Sequence, residues 1–272
     1  MTSPAYRALS EAGYETDVIG YHESKELFEA NPYIRSYRTT DSSYVDKAIT
    51  VMSLKERYDY VIQFTTSFKT NTLMMFAKGK RVGYSYRLKG LPLNLKVPIQ
   101  QRTCEKGNRI DEVYDLLMAI GVENRNREMV FSLKKRERQQ KGFIGLHVNP
   151  RNTQSARRWP HFGELARMLR RSGKRVFYIG NLSDREYIRS IDPEAEIVNT
   201  PTIQSLGSFL TRLEKFICVN SFPMHLAQCL KIPTFAIVGA TSGSVVCRET
   251  ENFHWTENMN INPEGVLSET WR

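Results

Sequence analysis

The chain has no apolar run approaching the roughly 18 to 20 residues that a membrane-spanning helix needs. Its opening residues, Met1-Thr2-Ser3-Pro4-Ala5-Tyr6-Arg7, hold no apolar stretch of the signal-peptide kind. A cytoplasmic setting is the expectation, with peripheral contact at an inner membrane surface as a further one. Cysteine is scarce and unpatterned: Cys104, Cys218, Cys229 and Cys247 form no CxxC pair and no metal-ligand spacing with the five histidines. That excludes a disulfide scaffold or a zinc finger and leaves buried free thiols. Acid is nearly absent from one stretch. Between Lys69 and Arg109 lie Lys69, Lys78, Lys80, Arg81, Arg87, Lys89, Lys96, Arg102, Lys106 and Arg109, against Glu105 alone. This block dominates the net charge of +10. Its field favours an anionic partner such as a phosphorylated glycolipid or an anionic membrane, although a merely solvating surface has the same composition. No nucleic-acid motif accompanies the charge, which puts nucleic acid last among partners.

The remaining composition, 40% hydrophobic and 25% charged, is that of a globular protein, and 272 residues suffice for one large domain or two ordinary ones. Short runs rich in β-branched residues alternate with segments of helical period, which predicts an α/β fold with parallel sheets. In the first half, strands are expected at residues 16–20, 34–37, 60–64 and 81–84. Helices are expected near 5–12, 44–57, 69–77 and 110–120. The polar run Lys134-Lys135-Arg136-Glu137-Arg138-Gln139-Gln140-Lys141 reads as an interdomain linker or an exposed helix end, dividing the chain into domains 1–140 and 141–272.

In the second half the expected strands are 143–148, 175–179, 216–219 and 234–238. A helix opening at Pro160 and closing at Gly173 is expected, with others near 184–190, 203–213 and 224–230. Residues 251–272 are polar and show no clear strand or helix. The chain also opens on loop and helix, where a parallel domain ordinarily opens on a strand. Either a preceding strand is left out of the sequence or the domain has lost it.

Two segments carry the chemistry. Phe216-Ile217-Cys218-Val219-Asn220-Ser221-Phe222-Pro223-Met224-His225 reads as strand, polar turn and helix start. Unpaired N–H groups and the helix dipole there favour an anion such as a diphosphate. Asn and Ser are equally ordinary helix caps, and His225 has an equal reading as a packing residue. The second is Gly145-Leu146-His147-Val148-Asn149-Pro150-Arg151-Asn152-Thr153-Gln154-Ser155-Ala156-Arg157-Arg158-Trp159-Pro160, a strand followed by a basic loop whose guanidinium groups suit phosphate oxygens. Trp159 is expected to anchor the following helix rather than stack on a base.

In order and spacing these segments resemble glycosyltransferase family 9, the heptosyltransferases of the lipopolysaccharide inner core. The family has a basic residue two before Trp-Pro, a position Arg157 takes here. It also has Asp-Ser/Thr-Gly-x-x-His, which reads here Asn220-Ser221-Phe222-Pro223-Met224-His225, and a Gly-x-Thr loop, here Gly239-Ala240-Thr241. The first half resembles the family more loosely, through Thr2-Ser3-Pro4, Arg81-Val82-Gly83-Tyr84 and Ile110–Leu117.

The resemblance implies a GT-B fold: two Rossmann-like domains facing a cleft, the N-terminal one lacking its first strand. It implies a nucleotide-sugar donor, ADP-heptose, whose diphosphate meets Thr153, Arg157, Asn220, Ser221, Phe222 and His225. The acceptor is an anionic glycolipid or glycan, for which Arg81, Arg87 and Lys89 are the candidate contacts. Transfer inverts the anomeric centre, and neither cofactor nor metal is implied. Three departures stand out. The family's Gly-Asp carboxylate follows the first strand and has no counterpart here, so no catalytic base is assigned. Asn220 stands for an aspartate, and Phe222 for a glycine whose bare backbone lets amides approach phosphate. A catalytically inactive binder of sugar nucleotides or phosphoglycans is therefore the alternative function.

Overall fold

Among the described residues every strand-to-strand ladder is parallel, as the alternation of short apolar runs and helical segments predicts. The computed structural model describes residues 2–29, 31–54, 57–65, 67–85, 90–98, 109–124, 126–148, 158–239 and 242–271. It divides into two units, Met1–Ser132 and Leu133–Arg272, each with its own core. No helix among the described residues is long and apolar enough to cross a membrane.

The first unit runs α1 (Ser3–Glu11), β1 (Asp17–Tyr21), α2 (Lys25–Phe28), β2 (Ser36–Thr40), α3 (Tyr44–Met52), β3 (Tyr60–Gln63), α4 (Phe68–Leu73), β4 (Lys80–Ser85), β5 (Leu95–Pro98) and α5 (Arg109–Met118). Its strands form two separate sheets, β1-β2 and β3-β4-β5. Pro4 occupies the first turn of α1, where its missing N–H costs nothing. Ser43 caps α3 by accepting from the Asp46 amide at 3.0 Å. Ala5, Ala8 and Leu9 of α1 pack with Val113, Leu116 and Leu117 of α5 over Val82, Tyr84 and Val97. Asp17 accepts from Arg35, from Ser36 at 2.7 Å and from Tyr58 at 2.9 Å. The Arg35 guanidinium leads in holding that carboxyl well below the usual carboxylate range. β5 is an edge strand absent from the sequence reading. It ends in Pro98, a residue that edge strands tolerate because one side of an edge needs no ladder N–H.

The second unit runs β6 (Phe143–His147), α6 (Phe162–Arg171), β7 (Arg175–Ile179), α7 (Arg185–Ile191), β8 (Glu196–Val198), α8 (Ile203–Leu210), β9 (Lys215–Val219), α9 (Phe222–Cys229), β10 (Thr234–Ile237), α10 (Gly243–Val246), β11 (Phe253–Thr256) and α11 (Pro263–Thr270). One six-stranded sheet has the order β11-β10-β9-β6-β7-β8. Counted from β6, that is the 3-2-1-4-5-6 arrangement of dinucleotide-binding sheets, whose direction of winding reverses between β6 and β9. Ile144, Leu146, Val176, Ile217 and Phe235 of the sheet meet Trp159, Phe162, Leu165 and Leu169 in one buried core. At the end of α6, Gly173 takes φ +79°, and its amide and that of Lys174 close back on Arg170 and Leu169.

Three readings of the sequence need correction here. The polar run before β6 is neither helix end nor free linker. The Glu137 amide donates to Thr211 Oγ1 at 2.9 Å, the Gln140 amide to the Arg212 carbonyl at 2.8 Å, and Arg136 to the Leu230 carbonyl at 2.8 Å. Charged side chains mislead there because the backbone, not the side chains, makes most of the attachment. Pro160 lies in a turn before α6, which begins at Phe162. The polar tail holds both a strand and a helix. β11 pairs with β10, and Asn262 caps α11 by accepting from the Gly265 amide at 2.8 Å, with Pro263 in the first turn.

Candidate functional site

The turn where β9 passes into α9 sits at the winding reversal, beside the end of β6. His147 of β6 is in register with Cys218 of β9, so the carboxyl ends of both strands lie side by side. Asn220 is buried and Ser221 half-buried. Ser221 is the N-cap of α9 but makes no capping bond, and its hydroxyl donates instead to the Val219 carbonyl at 3.2 Å. Pro223 in the first turn carries no N–H. The amides of Ser221, Phe222 and Met224 are thereby left for an outside acceptor. Phe222 is 43% exposed, so its ring stands in solvent and does not plug the turn. His225, three positions on, is held neutral by burial, with its pKa pushed down to about 4.

Thr153 and Arg157, the other expected diphosphate contacts, lie outside the described residues, as do Arg87, Lys89 and Thr241. Arg158, just past the loop, lays its guanidinium over the Tyr187 ring at 4.5 Å. Trp159 anchors α6, as expected. It is fully buried, meets Phe162 edge-on at 5.0 Å and donates to the Ile261 carbonyl at 2.9 Å. Asp184 takes part in a local cap: it accepts from the Asn181 amide at 2.9 Å, while the Asn181 side chain accepts from Ser183 at 2.9 Å. Arg81 lies near the amino end of β4, opposite the carboxyl ends of the strands, and its amide bonds the Asn94 side chain at 2.9 Å.

Two residues at this edge carry no role in the sequence reading. His147 is 8% exposed, its Nδ1 has no hydrogen-bond partner, and burial pushes its pKa down to about 4. Its place as the last residue of the strand before a basic loop is the signal that could have singled it out. Glu257 accepts from the Gly243 amide at 2.6 Å and from Ser242 at 3.1 Å, so α10 already has a carboxylate at its N-terminus. Nothing in the sequence marks that pairing, which joins the start of α10 to the loop after β11.

A description of glycosyltransferase family 9 (heptosyltransferase) matches residues 50–261, most of both units. The chain belongs to glycosyltransferase family 9. Family 9 structures share its fold throughout. A family 9 glycosyltransferase from Veillonella parvula superposes with TM-score 0.85 at 15% identity, over 98% of this chain and 90% of that one. The E. coli heptosyltransferase WaaC with ADP-2-deoxy-2-fluoro heptose gives TM-score 0.79 at 16% identity, over 98% and 93%. The E. coli ADP-heptose lps heptosyltransferase II gives 0.72 at 20%, over 98% and 92%. These are GT-B structures, and the α/β architecture matches theirs. No curated protein sequence matches at a significant level.

Proposed function

We propose that this family 9 chain binds a nucleotide diphosphate sugar at the carboxyl edge of its second sheet, and that it transfers the sugar, with inversion, to an anionic glycan or glycolipid. The observation that carries the reading is the uncapped N-terminus of α9, opening at the winding reversal beside the carboxyl end of β6. Amides of Ser221, Phe222 and Met224 offer fixed donors to a diphosphate, and the helix dipole adds to them. Arg157, in the loop after β6, supplies a guanidinium that pairs with phosphate oxygens bidentately. Neutral His225 donates or accepts one hydrogen bond without repelling the cation. Departure of the diphosphate is then helped by groups fixed in advance. ADP-heptose is the donor favoured by kinship, since relatives of this fold are described with ADP and with an ADP-heptose analogue.

Isothermal titration of the 272-residue chain with ADP, UDP and GDP tests the donor. Saturable binding of ADP, with at least tenfold weakening in Arg157→Ala, is the expected result. Absence of binding by all three at millimolar concentration sinks the reading. A second reading, a binder that no longer transfers, is favoured by Asn220 in the place of an aspartate and Phe222 in the place of a glycine. Release of ADP from ADP-heptose that depends on a phosphorylated heptose-free core acceptor separates the two.

A further inference from the structure

α3 carries an apolar stripe that no core takes up. At about 100° per residue, Val45, Ile49 and Met52 fall within about 60° of one another on the helix surface. They are 64%, 60% and 62% exposed. The inward positions are filled by other apolar residues, since α3 packs on β2 and its Ala48 and Val51 are half-buried. A helix that serves only a core is divided differently. α6 buries Phe162, Leu165, Ala166 and Leu169 and leaves Glu164, Arg167 and Arg171 exposed. The apolar surface also continues beyond α3. The single turn Met74–Phe76 packs against the helix, and its Met75 and Phe76 are 60% and 48% exposed while Met74 beside them is buried.

Charge around this surface has one sign. Residues 44–52 and 67–80 hold Lys47, Lys69, Lys78 and Lys80 against Asp46 alone. Asp46 is turned back on the start of its own helix, where it bonds the Ser43 hydroxyl. Tyr44 and Thr72 of α4 meet through their hydroxyls at 3.0 Å, and Thr72 donates to the Lys69 carbonyl at 2.8 Å. Those two bonds set Lys69 beside the start of α3. Lys78 follows Phe76 by two residues, and Lys69, Lys78 and Lys80 are all exposed. Contiguous exposed apolar surface marks a contact site, and here the lysines decide with what. A second copy of the chain brings the same lysines and the same net charge of +10, so the two repel. A leaflet of anionic headgroups offers opposite charge and apolar depth together, the combination that holds an amphipathic helix at an interface.

We propose that the outer face of α3, with Met75 and Phe76, docks this chain on an anionic lipid surface. Val45, Ile49 and Met52 enter between the headgroups, and Lys69, Lys78 and Lys80 pair with the phosphates. The inference stands on the first unit alone and is independent of the donor site.

Flotation of the 272-residue chain with lipid vesicles tests it. Binding to vesicles of phosphatidylethanolamine and phosphatidylglycerol is expected to be at least tenfold tighter than to phosphatidylcholine alone, and to weaken as salt is added. Val45→Ser, Ile49→Ser and Met52→Ser together are expected to weaken it at least tenfold, because the buried apolar area is lost. Lys69→Gln with Lys78→Gln is expected to weaken it at least fivefold. All five positions are exposed, so an unchanged melting temperature in both variants certifies the fold. Absence of binding to the anionic vesicles overturns the proposal, as does equal binding to the phosphatidylcholine ones or full binding by either variant. A dimer in light scattering that the triple serine variant dissolves assigns the stripe to a second copy and overturns it too.

Discussion

Burial without a partner makes His147 a site where pH acts on stability. Its pKa falls to about 4 in the folded chain against about 6.5 when unfolded, because the buried ring resists protonation. The unfolded state therefore binds the proton first. Stability is full above about pH 6.5 and is lost as pH falls through 5 toward 4, by about 2 kcal/mol between pH 7 and pH 5. His225 acts in the same direction. Urea unfolding at the two pH values, in the native chain and in His147→Gln, checks this; an equal loss in both proteins contradicts it. Trp159 exerts its effect at any pH. Its buried ring and its bond to Ile261 link the loop after β6 to the tail. Trp159→Phe keeps most of the packing but strands the Ile261 carbonyl, and should cost about 1–3 kcal/mol. Phe222 is the contrasting case. Its ring is exposed, so Phe222→Ala should leave the melting temperature within about 2 °C, as for an ordinary surface position. If its ADP affinity drops tenfold, the ring belongs to the pocket rather than standing beside it.

Among elements, legibility followed length and centrality. β6, β7, β9 and β10 lie at the middle of the second sheet, buried on both faces, and such strands must be written as continuous apolar runs like Phe-Ile-Cys-Val and Phe-Ala-Ile-Val. Edge strands need no such run. β8 has three residues, Glu-Ile-Val, and β11 reads Phe-His-Trp-Thr, with only Phe253 buried. Neither shows in the sequence pattern for that reason. The start of α11 was legible in principle, since Asn262-Pro263 is a cap followed by a first-turn proline. The site was readable only as a motif: residue types showed the turn after β9, but not that His147 ends the neighbouring strand in register with Cys218. The tail is structural despite its polarity. β11 covers β10, and Val266 of α11 is fully buried in the central core. Deleting residues 251–272 should therefore abolish cooperative unfolding of the second unit, measured by near-ultraviolet circular dichroism. A sharp transition surviving the deletion would show the tail to be an appendage.

At the scale of the whole molecule, two cores in one chain mean that a ligand can stabilise one without the other. The donor site proposed above draws all its groups from the second unit, so binding free energy enters that unit's equilibrium alone. At a hundred times its dissociation constant, ADP contributes about 2.7 kcal/mol, which for a unit of this size is a rise of roughly 8 °C. None of the groups named for that site belongs to the first unit, whose strands form separate sheets. Differential scanning calorimetry should then resolve two transitions in the presence of ADP, the lower unmoved and the upper displaced. A single transition moving as a whole would mean that the units unfold as one body. Movement of the lower transition alone would place the nucleotide in the first unit, against the reading from α9.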